Sequence, residues 1–486
     1  ASDVYKRQAQ KEYISPIFLL YFGLVTGLAA IVICAALGSL FGIFIVMAMP
    51  AMLYYLLQTI RMPIIAFYGL FILNYFIIAI MRYTHTSGLS AIMDIGLLYI
   101  CFATVTHSIL TQKLPWKNAF NFLTMGALVW ALFCFFQLLN PTAISEAWMS
   151  SRNIIYSGLV VSFIASVLVT QYKHVKQLLF LLSILVLLAC IKAFMQKYIG
   201  FDGSEKQWLA EGGARTHIIA TGTRYFSFFT DAGNFGSNMG FASVVFGISA
   251  IYTSNKNMRI YYIIIALLAL CGLFMSGTRG AIAVPLGGLL LFCLISKKFS
   301  LMAITAIIGI CIYTFFAFTY IGQGNAMIRR MRTTFRPTED ASFNVRLDNQ
   351  KKLAEYLRER PFGEGLGLGG VEAKRFAERA TTLIPHDSTY VKIWMETGIV
   401  GLTLYLGLLI TALLWACFII MFKVKHKKLR GILTAMLCGI FGLMISAYGN
   451  AFFNQFPTQI IVFTCLTIAI NGHRIEKYTI DNQTNK

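Results

Sequence analysis

"QLLFLLSILVLLACIKAFMQ", residues 177–196, carries one charged residue, Lys192, in an otherwise apolar run. A helix of about 20 residues crosses the ~30 Å hydrocarbon core of a bilayer. Runs of this kind recur along the 486 residues, of which 57% are hydrophobic and 13% charged. A soluble chain of this length would divide into two or three domains with polar surfaces, whereas here polar sequence is confined to short connectors and two longer loops. The runs lack the alternation of outer-membrane strands, and in lipid the backbone must satisfy its own hydrogen bonds, so helices follow. The expectation is an all-α polytopic membrane protein with about 12–14 transmembrane helices and two long outer loops, the second partly helical.

Runs are expected at 17–36, 38–58, 62–81, 89–111, 119–138, 154–170, 177–196, 236–254, 260–275, 280–296, 300–320, 398–421, 431–449 and 456–470. Together they make a single membrane domain over residues 9–486, with loops at 197–235 and 321–397. The first eight residues, "ASDVYKRQ", match the translation of a transposon adapter used in sequencing libraries and are set aside as a scar. With no cleavable signal peptide in view, the first run would act as an uncleaved anchor.

Alternate connectors differ in charge. One set holds Arg61, Lys113, Lys117, Lys173, Lys176, Lys256, Arg259, Lys297, Lys298, Lys423, Lys425, Lys427, Lys428 and Arg430; the other holds Arg82, Arg152 and Arg279 in its short members. The positive-inside rule makes the first set cytoplasmic, so both termini face inward and both long loops outward. The net charge of +21 is then mostly an anchor on anionic lipid, and no nucleic-acid partner is needed. The ten cysteines lie within apolar runs without CxxC spacing, so neither a disulfide framework nor a metal site is expected.

Polar chemistry gathers at the outward end. Asp94, Lys192, Arg279, Lys392 and Glu396 fall near the outer ends of their segments, where a charge is costly unless it has a task. Lys192 and Lys392 can reach the headgroups by snorkelling; Asp94 is too short for that and must line an aqueous cavity or pair with a cation. The first loop runs "THIIATGTRYFSFFTDAGNFGSNMG", residues 216–240, and sets Arg224 among aromatics beside the membrane. Its guanidinium can grip phosphate oxygens in a substrate or equally in lipid headgroups. "MSGTRGAIAVP", residues 275–285, places Arg279 in a tight turn of small residues.

In the second loop, residues 343–358 read as an amphipathic helix that Pro361 ends, followed by "RPFGEGLGLGG", residues 360–370. Gly365, Gly367 and Gly370 have the spacing of a dinucleotide fingerprint, but they follow a helix where that fold needs a strand, and no P-loop occurs, so neither a nucleotide cofactor nor ATP-driven transport is expected. The glycines form either a plain loop or a surface that a polar ligand approaches closely. "HDSTYVKIWMETGIVG", residues 386–401, then opens with His386, either a capping or surface residue or a candidate proton acceptor, beside Asp387, Ser388 and Thr389, any of which can cap the next helix.

With these segments in this order, the chain resembles the O-antigen ligase and polymerase superfamily: the Arg224 loop, "SGTRGA", "RPFGEGLGLGG" after an Arg-bearing helix, and the histidine leading into "ETGIVG". The resemblance implies a bacterial inner-membrane glycosyltransferase that acts at the periplasmic face without a metal or other cofactor. Its donor would be an undecaprenyl-diphosphate-linked glycan and its acceptor lipid A-core or another glycan. Arg224 and Arg279 would bind the diphosphate, His386 would contact or activate the acceptor hydroxyl, and Arg346 would assist. Asp387 departs from the family pattern, where Asn or Ser is frequent, and would orient His386 or raise its basicity, or only cap a helix. A ligase fits the single histidine beside a glycine-rich loop somewhat better than a polymerase does. A transporter without chemistry would show repeated halves and charges at mid-membrane, and neither is evident.

Overall fold

The computed structural model describes residues 26, 40–86, 88–111, 114–219, 222–296, 299–324, 328, 329, 332 and 341–484. The octet 1–8, the run 17–36 apart from Thr26, and Lys113, Lys297 and Lys298 lie outside the described residues. The chain divides into two units, residues 1–66 and 67–486. In the first, α1 (Leu40–Arg61) contains Pro50 and exposes Met47, Met52, Leu53 and Leu57.

The second unit is a helical bundle. Its long helices are α2 (Pro63–Thr84, which starts in the last residues of the first unit), α3 (Ala91–Thr111), α4 (Phe122–Phe136), α5 (Arg152–Leu168), α6 (Tyr172–Tyr198), α7 (Ala232–Tyr252), α8 (Lys256–Met275), α9 (Ala283–Ser296) and α10 (Phe299–Phe318). After the second loop, which carries α11 (Ala341–Leu357), come α12 (Thr389–Phe418), α13 (Lys427–Ser446), α14 (Thr458–Ile470) and α15 (Gly472–Thr484). Ten helical segments among the described residues are long and apolar enough to cross a membrane, and the protein is a multi-pass, all-α membrane protein. The one sheet among the described residues pairs Ile218 and Ile219 with Thr223 and Gly222.

Burial ranks the helices. In α7 and α13 about four-fifths of the apolar window is buried, 78% and 83%, against 28% in α3, so α7 and α13 form the interior and α3 faces lipid with Ile95, Leu98, Phe102 and Ile109. Small residues allow that close packing. A Cβ added to Gly442 of α13 would come within 2.2 Å of the Val284 carbonyl of α9, and one on Gly236 of α7 within 2.2 Å of Ser276 Oγ. With only 13 residues, α14 is short for a span, but every one is buried, so protein rather than lipid surrounds it.

The largest departure from the expected boundaries is at the start of α12. The run expected at 398–421 begins nine residues earlier, because Ser388 caps Tyr390 and Val391 and the polar stretch from Thr389 to Thr397 is already helical. Hydropathy missed it, since Lys392 and Glu396 interrupt the apolar pattern. At Gly398 the helix kinks, with φ 65°, and a Cβ there would lie 2.0 Å from the Pro361 carbonyl, so only glycine fits.

Candidate active site

The first long loop is pinned to the bundle around Arg224. Arg82, at the end of α2, donates to the carbonyls of Ser227 at 3.0 Å and Phe229 at 2.6 Å and stacks on Trp208 and Phe226. Gln196 accepts from the N–H of Ser227 at 2.9 Å and donates to the buried Glu205. Lys192, expected to snorkel, instead pairs with Asp202 at 2.8 Å and Glu205 at 3.0 Å. These contacts hold a loop with little regular structure in one place.

Arg224 bridges this loop to the turn between α8 and α9. It donates to the Thr216 carbonyl at 2.9 Å, to Thr278 Oγ1 at 2.8 Å and to the Ser276 carbonyl at 3.3 Å, committing three of its five N–H groups. Burial pushes the guanidinium below its usual range; Asp231 opposes this and the charge of nearby Arg279 adds to it. Two half-buried like charges close enough to repel each other gain when an anion lies against both. Meanwhile the amino terminus of α7 is already satisfied: His217 Nε2 accepts from Ala232, and Asp231 accepts from Gly233 and Asn234. An anion at this end would therefore meet the arginines and not the free N–H groups of a helix terminus.

Asn450 joins the Arg279 turn to the start of α12. A Cβ on Gly280 would lie 2.3 Å from Asn450 Nδ2, and the Asn450 carbonyl accepts from Thr389 Oγ1 at 3.0 Å. Three residues before Thr389 stands His386, its side chain 10% exposed. Its ring rests on the backbone of Gly370, where an added Cβ would sit 1.8 Å from Nδ1, so the φ of 89° and the missing side chain at Gly370 are both required. Burial, and then the Lys392 charge, push the imidazole down to about 4, while Glu372 and Asp387 pull the other way. It is neutral at pH 7. Nδ1 has no hydrogen-bond partner among the described residues, and Nε2 lies 3.8 Å from Glu372 Oε2.

Other expected site residues are placed differently. Asp387 pairs with Arg346 at 3.1 Å on the surface, and it is Ser388 whose side chain caps α12. Gly365 and Gly367 pack against backbone rather than open space: a Cβ would meet Ala143 Cα at 3.1 Å and the Ala147 carbonyl at 2.1 Å, respectively. The whole segment is locked down by the buried Glu364, which binds Arg360 at 2.9 Å, Arg379 at 2.8 Å and the Tyr356 hydroxyl at 2.7 Å.

Asp94 does both of the things its short side chain allows. It pairs with Arg152 at 2.7 Å, accepts from the Tyr156 hydroxyl, and lines a cavity of about 270 Å³ shared with Lys392, Glu396 and Asn454. Arg152, Asn153, Asn450 and Asn454 were not singled out from sequence. For the last two a signal existed: "AYGNAFFNQFP", residues 447–457, is a polar and aromatic interruption between two apolar runs.

No curated protein matches the chain. Residues 264–406, which contain Arg279, Arg346, Gly365, Gly367, His386 and Asp387, match the family model described as O-antigen ligase.

Proposed function

We propose that the protein is an O-antigen-ligase-like glycosyltransferase that moves a glycan from undecaprenyl diphosphate to a hydroxyl of lipid A-core at the periplasmic face of the bacterial inner membrane. The observation that carries this reading is the placement, on either side of Asn450, of the Arg279 turn bound to Arg224 and the helix start that holds a buried, neutral His386. In the reaction the acceptor oxygen bonds to the anomeric carbon as the bond from that carbon to the diphosphate oxygen breaks. The diphosphate leaves with the electron pair and the acceptor proton passes to the imidazole.

Each group suits its part. Negative charge grows on the leaving diphosphate, and two guanidiniums already paid for in repulsion stabilise it there. With Nδ1 buried against Gly370, Nε2 is the nitrogen left to take the proton. A general base of this kind contributes roughly 10²–10⁴ in rate. Attack opposite the diphosphate inverts the anomeric centre. The outward orientation is supported by the lysines gathered at the other end, where Lys173, Lys176 and Lys428 are exposed.

Product analysis tests the reading. Proteoliposomes receive undecaprenyl-diphosphate-linked repeat units with and without lipid A-core. Core-linked glycan formed only when core is present supports a ligase with inverted anomeric configuration. Lengthening of the lipid-linked units without core shows a polymerase, and neither product under competent conditions turns the reading toward a transporter.

A further inference from the structure

The cavity at the lysine-rich end takes no part in the proposed transfer. It encloses about 520 Å³ where α6, α8 and α13 begin and α7 ends, the full 21 residues of α7 away from the Arg224 loop. Lys173, Lys176 and Lys428 stand in its wall, all three exposed, and no carboxylate joins them there. Glu476, on α15, is already taken, because it accepts from the N–H groups of Lys425 at 2.9 Å and His426 at 2.6 Å. Among the described residues no acid pairs with the three ammoniums. Like charges gathered round one space gain when an anion enters it.

The other polar groups of the wall also donate. Gln177 has given its Oε1 to the Tyr68 hydroxyl at 3.1 Å, and Asn255 has given its Oδ1 to the N–H groups of Asn257 at 2.9 Å and Met258 at 3.2 Å. Both side chains are exposed, and what each has left is an amide NH₂. The hydroxyls of Ser254 and Tyr172 can turn to donate as well. Three ammoniums, two amide donors and hydroxyls suit an anion with several oxygens, which a phosphate group supplies.

Depth decides what carries that phosphate. Since α6, α8 and α13 all start at this end, rising residue number leads into the membrane. Along α6 the wall changes from Lys173 and Lys176 to Phe180, about 10 Å further in at 1.5 Å per residue. About one turn takes α13 from Lys428 to Ile432 and α8 from Asn255 to Met258. Phe180 is 45% exposed, and an exposed phenyl ring two turns inside a span meets acyl chains. The volume equals roughly 17 waters at ~30 Å³ each, several times what a bare phosphate fills. A free anion would leave the apolar part of the wall uncovered, whereas a phospholipid covers both parts.

We propose that this cavity binds one anionic glycerophospholipid of the adjoining leaflet, its phosphate among Lys173, Lys176 and Lys428 and the start of an acyl chain against Phe180, Met258 and Ile432. A zwitterionic headgroup is disfavoured, because its own ammonium would join three others. The proposed orientation makes this the cytoplasmic leaflet. The site itself depends on neither that orientation nor the transfer reading.

Radiolabelled phosphatidylglycerol, titrated onto the immobilised full chain in mixed micelles of a neutral detergent, tests the site, with phosphatidylcholine and inorganic phosphate as competitors. A first variant carries Lys173→Gln, Lys176→Gln and Lys428→Gln. A second, Ser254→Trp, fills the exposed mouth and keeps every charge. A third removes three exposed lysines of the same end that lie outside the wall, by Lys256→Gln, Lys425→Gln and Lys427→Gln. Thermal unfolding without added lipid reports whether each variant folds; should the first fail to fold, the second decides against the third. The expected result is saturable binding to the native chain, weakened at least tenfold in the first and second variants and within about threefold of native in the third. Neither competitor should displace the lipid at matched concentration. Equal losses in the first and third variants would reveal diffuse attraction to a basic surface, displacement by phosphatidylcholine a groove for acyl chains alone, and displacement by phosphate a site for a free anion. Each of these overturns the proposal, as do native-like binding by the folded cavity variants and a native chain without saturable binding.

Discussion

The two ends of the bundle differ in where their charges lie. Around the Asp94 cavity and His386, charged and polar groups are buried or half-buried and held by specific partners: Arg152 on Asp94, Arg224 on Thr278, Glu364 between two arginines. Roughly 30 Å away along the 21 residues of α7, a second cavity, of about 520 Å³, is lined by Lys173, Lys176 and Lys428 with Tyr172 and Tyr252, and its lysines are exposed. Buried polar groups in a fixed arrangement are expensive and point to chemistry, whereas exposed lysines at a helix end serve topology and lipid contact. Charges therefore mean different things at the two ends, and substitutions should separate them.

Gly370→Ala should strike hardest outside the reacting groups themselves. The new Cβ must displace the His386 ring and adopt a φ of 89°, strain of about 1–3 kcal/mol. Transfer should fall at least tenfold with a lowered unfolding temperature, and an unchanged rate would show that the ring does not need its seat on Gly370.

Acid should act on the same residue. His386 holds its proton more weakly folded, at about 4, than unfolded, at about 6.5, so between those values the unfolded chain binds more protons. Stability should fall as the pH drops from about 6.5 toward 4, and His386→Gln should flatten that part of the profile. In the native chain the acid limb of transfer should lie well below pH 6.5; a limb at or above 6.5 would mean a solvated imidazole.

Asp387→Asn is expected to do less. It breaks a surface pair with Arg346 worth about 0–1 kcal/mol, and with the ring seated by Gly370 the rate should change by under about threefold. A large loss would restore Asp387 as the group that orients the histidine. Smallest of all should be the combined replacement of Lys173, Lys176 and Lys428 by Gln at the far end. Transfer by correctly inserted protein should stay within about twofold, and a collapse would contradict the division of labour between the two ends.

Much of this organisation was readable from the chain. Apolar runs gave α2 to α10 because lipid demands length and hydropathy, and Asp94 was marked because a short carboxylate near lipid needs water or a cation. His386, Arg224 and Arg279 were visible as polar residues at the outer ends of spans. Less legible were features that depend on distant partners. Pairing of Arg152 with Asp94 joins residues 58 apart. Asn450 packs its side chain on Gly280 and accepts from Thr389 through its backbone carbonyl, two contacts with residues far away in the chain. The early start of α12 was hidden because Lys392 and Glu396 look polar until the cavity beside them is known. Gly365 and Gly367, readable as a ligand surface, serve backbone packing on residues 143–147.

One experiment bears on the heart of the proposal: counting undecaprenyl diphosphate released per glycan transferred, in proteoliposomes of native protein and of folded His386→Ala. The expected result is one diphosphate lipid released per transfer, with the rate lowered by roughly 10²–10⁴ in the variant and affinity for undecaprenyl diphosphate within about threefold of native. A His386→Ala chain that transfers at the native rate would remove the histidine from the chemistry and the proposed mechanism with it.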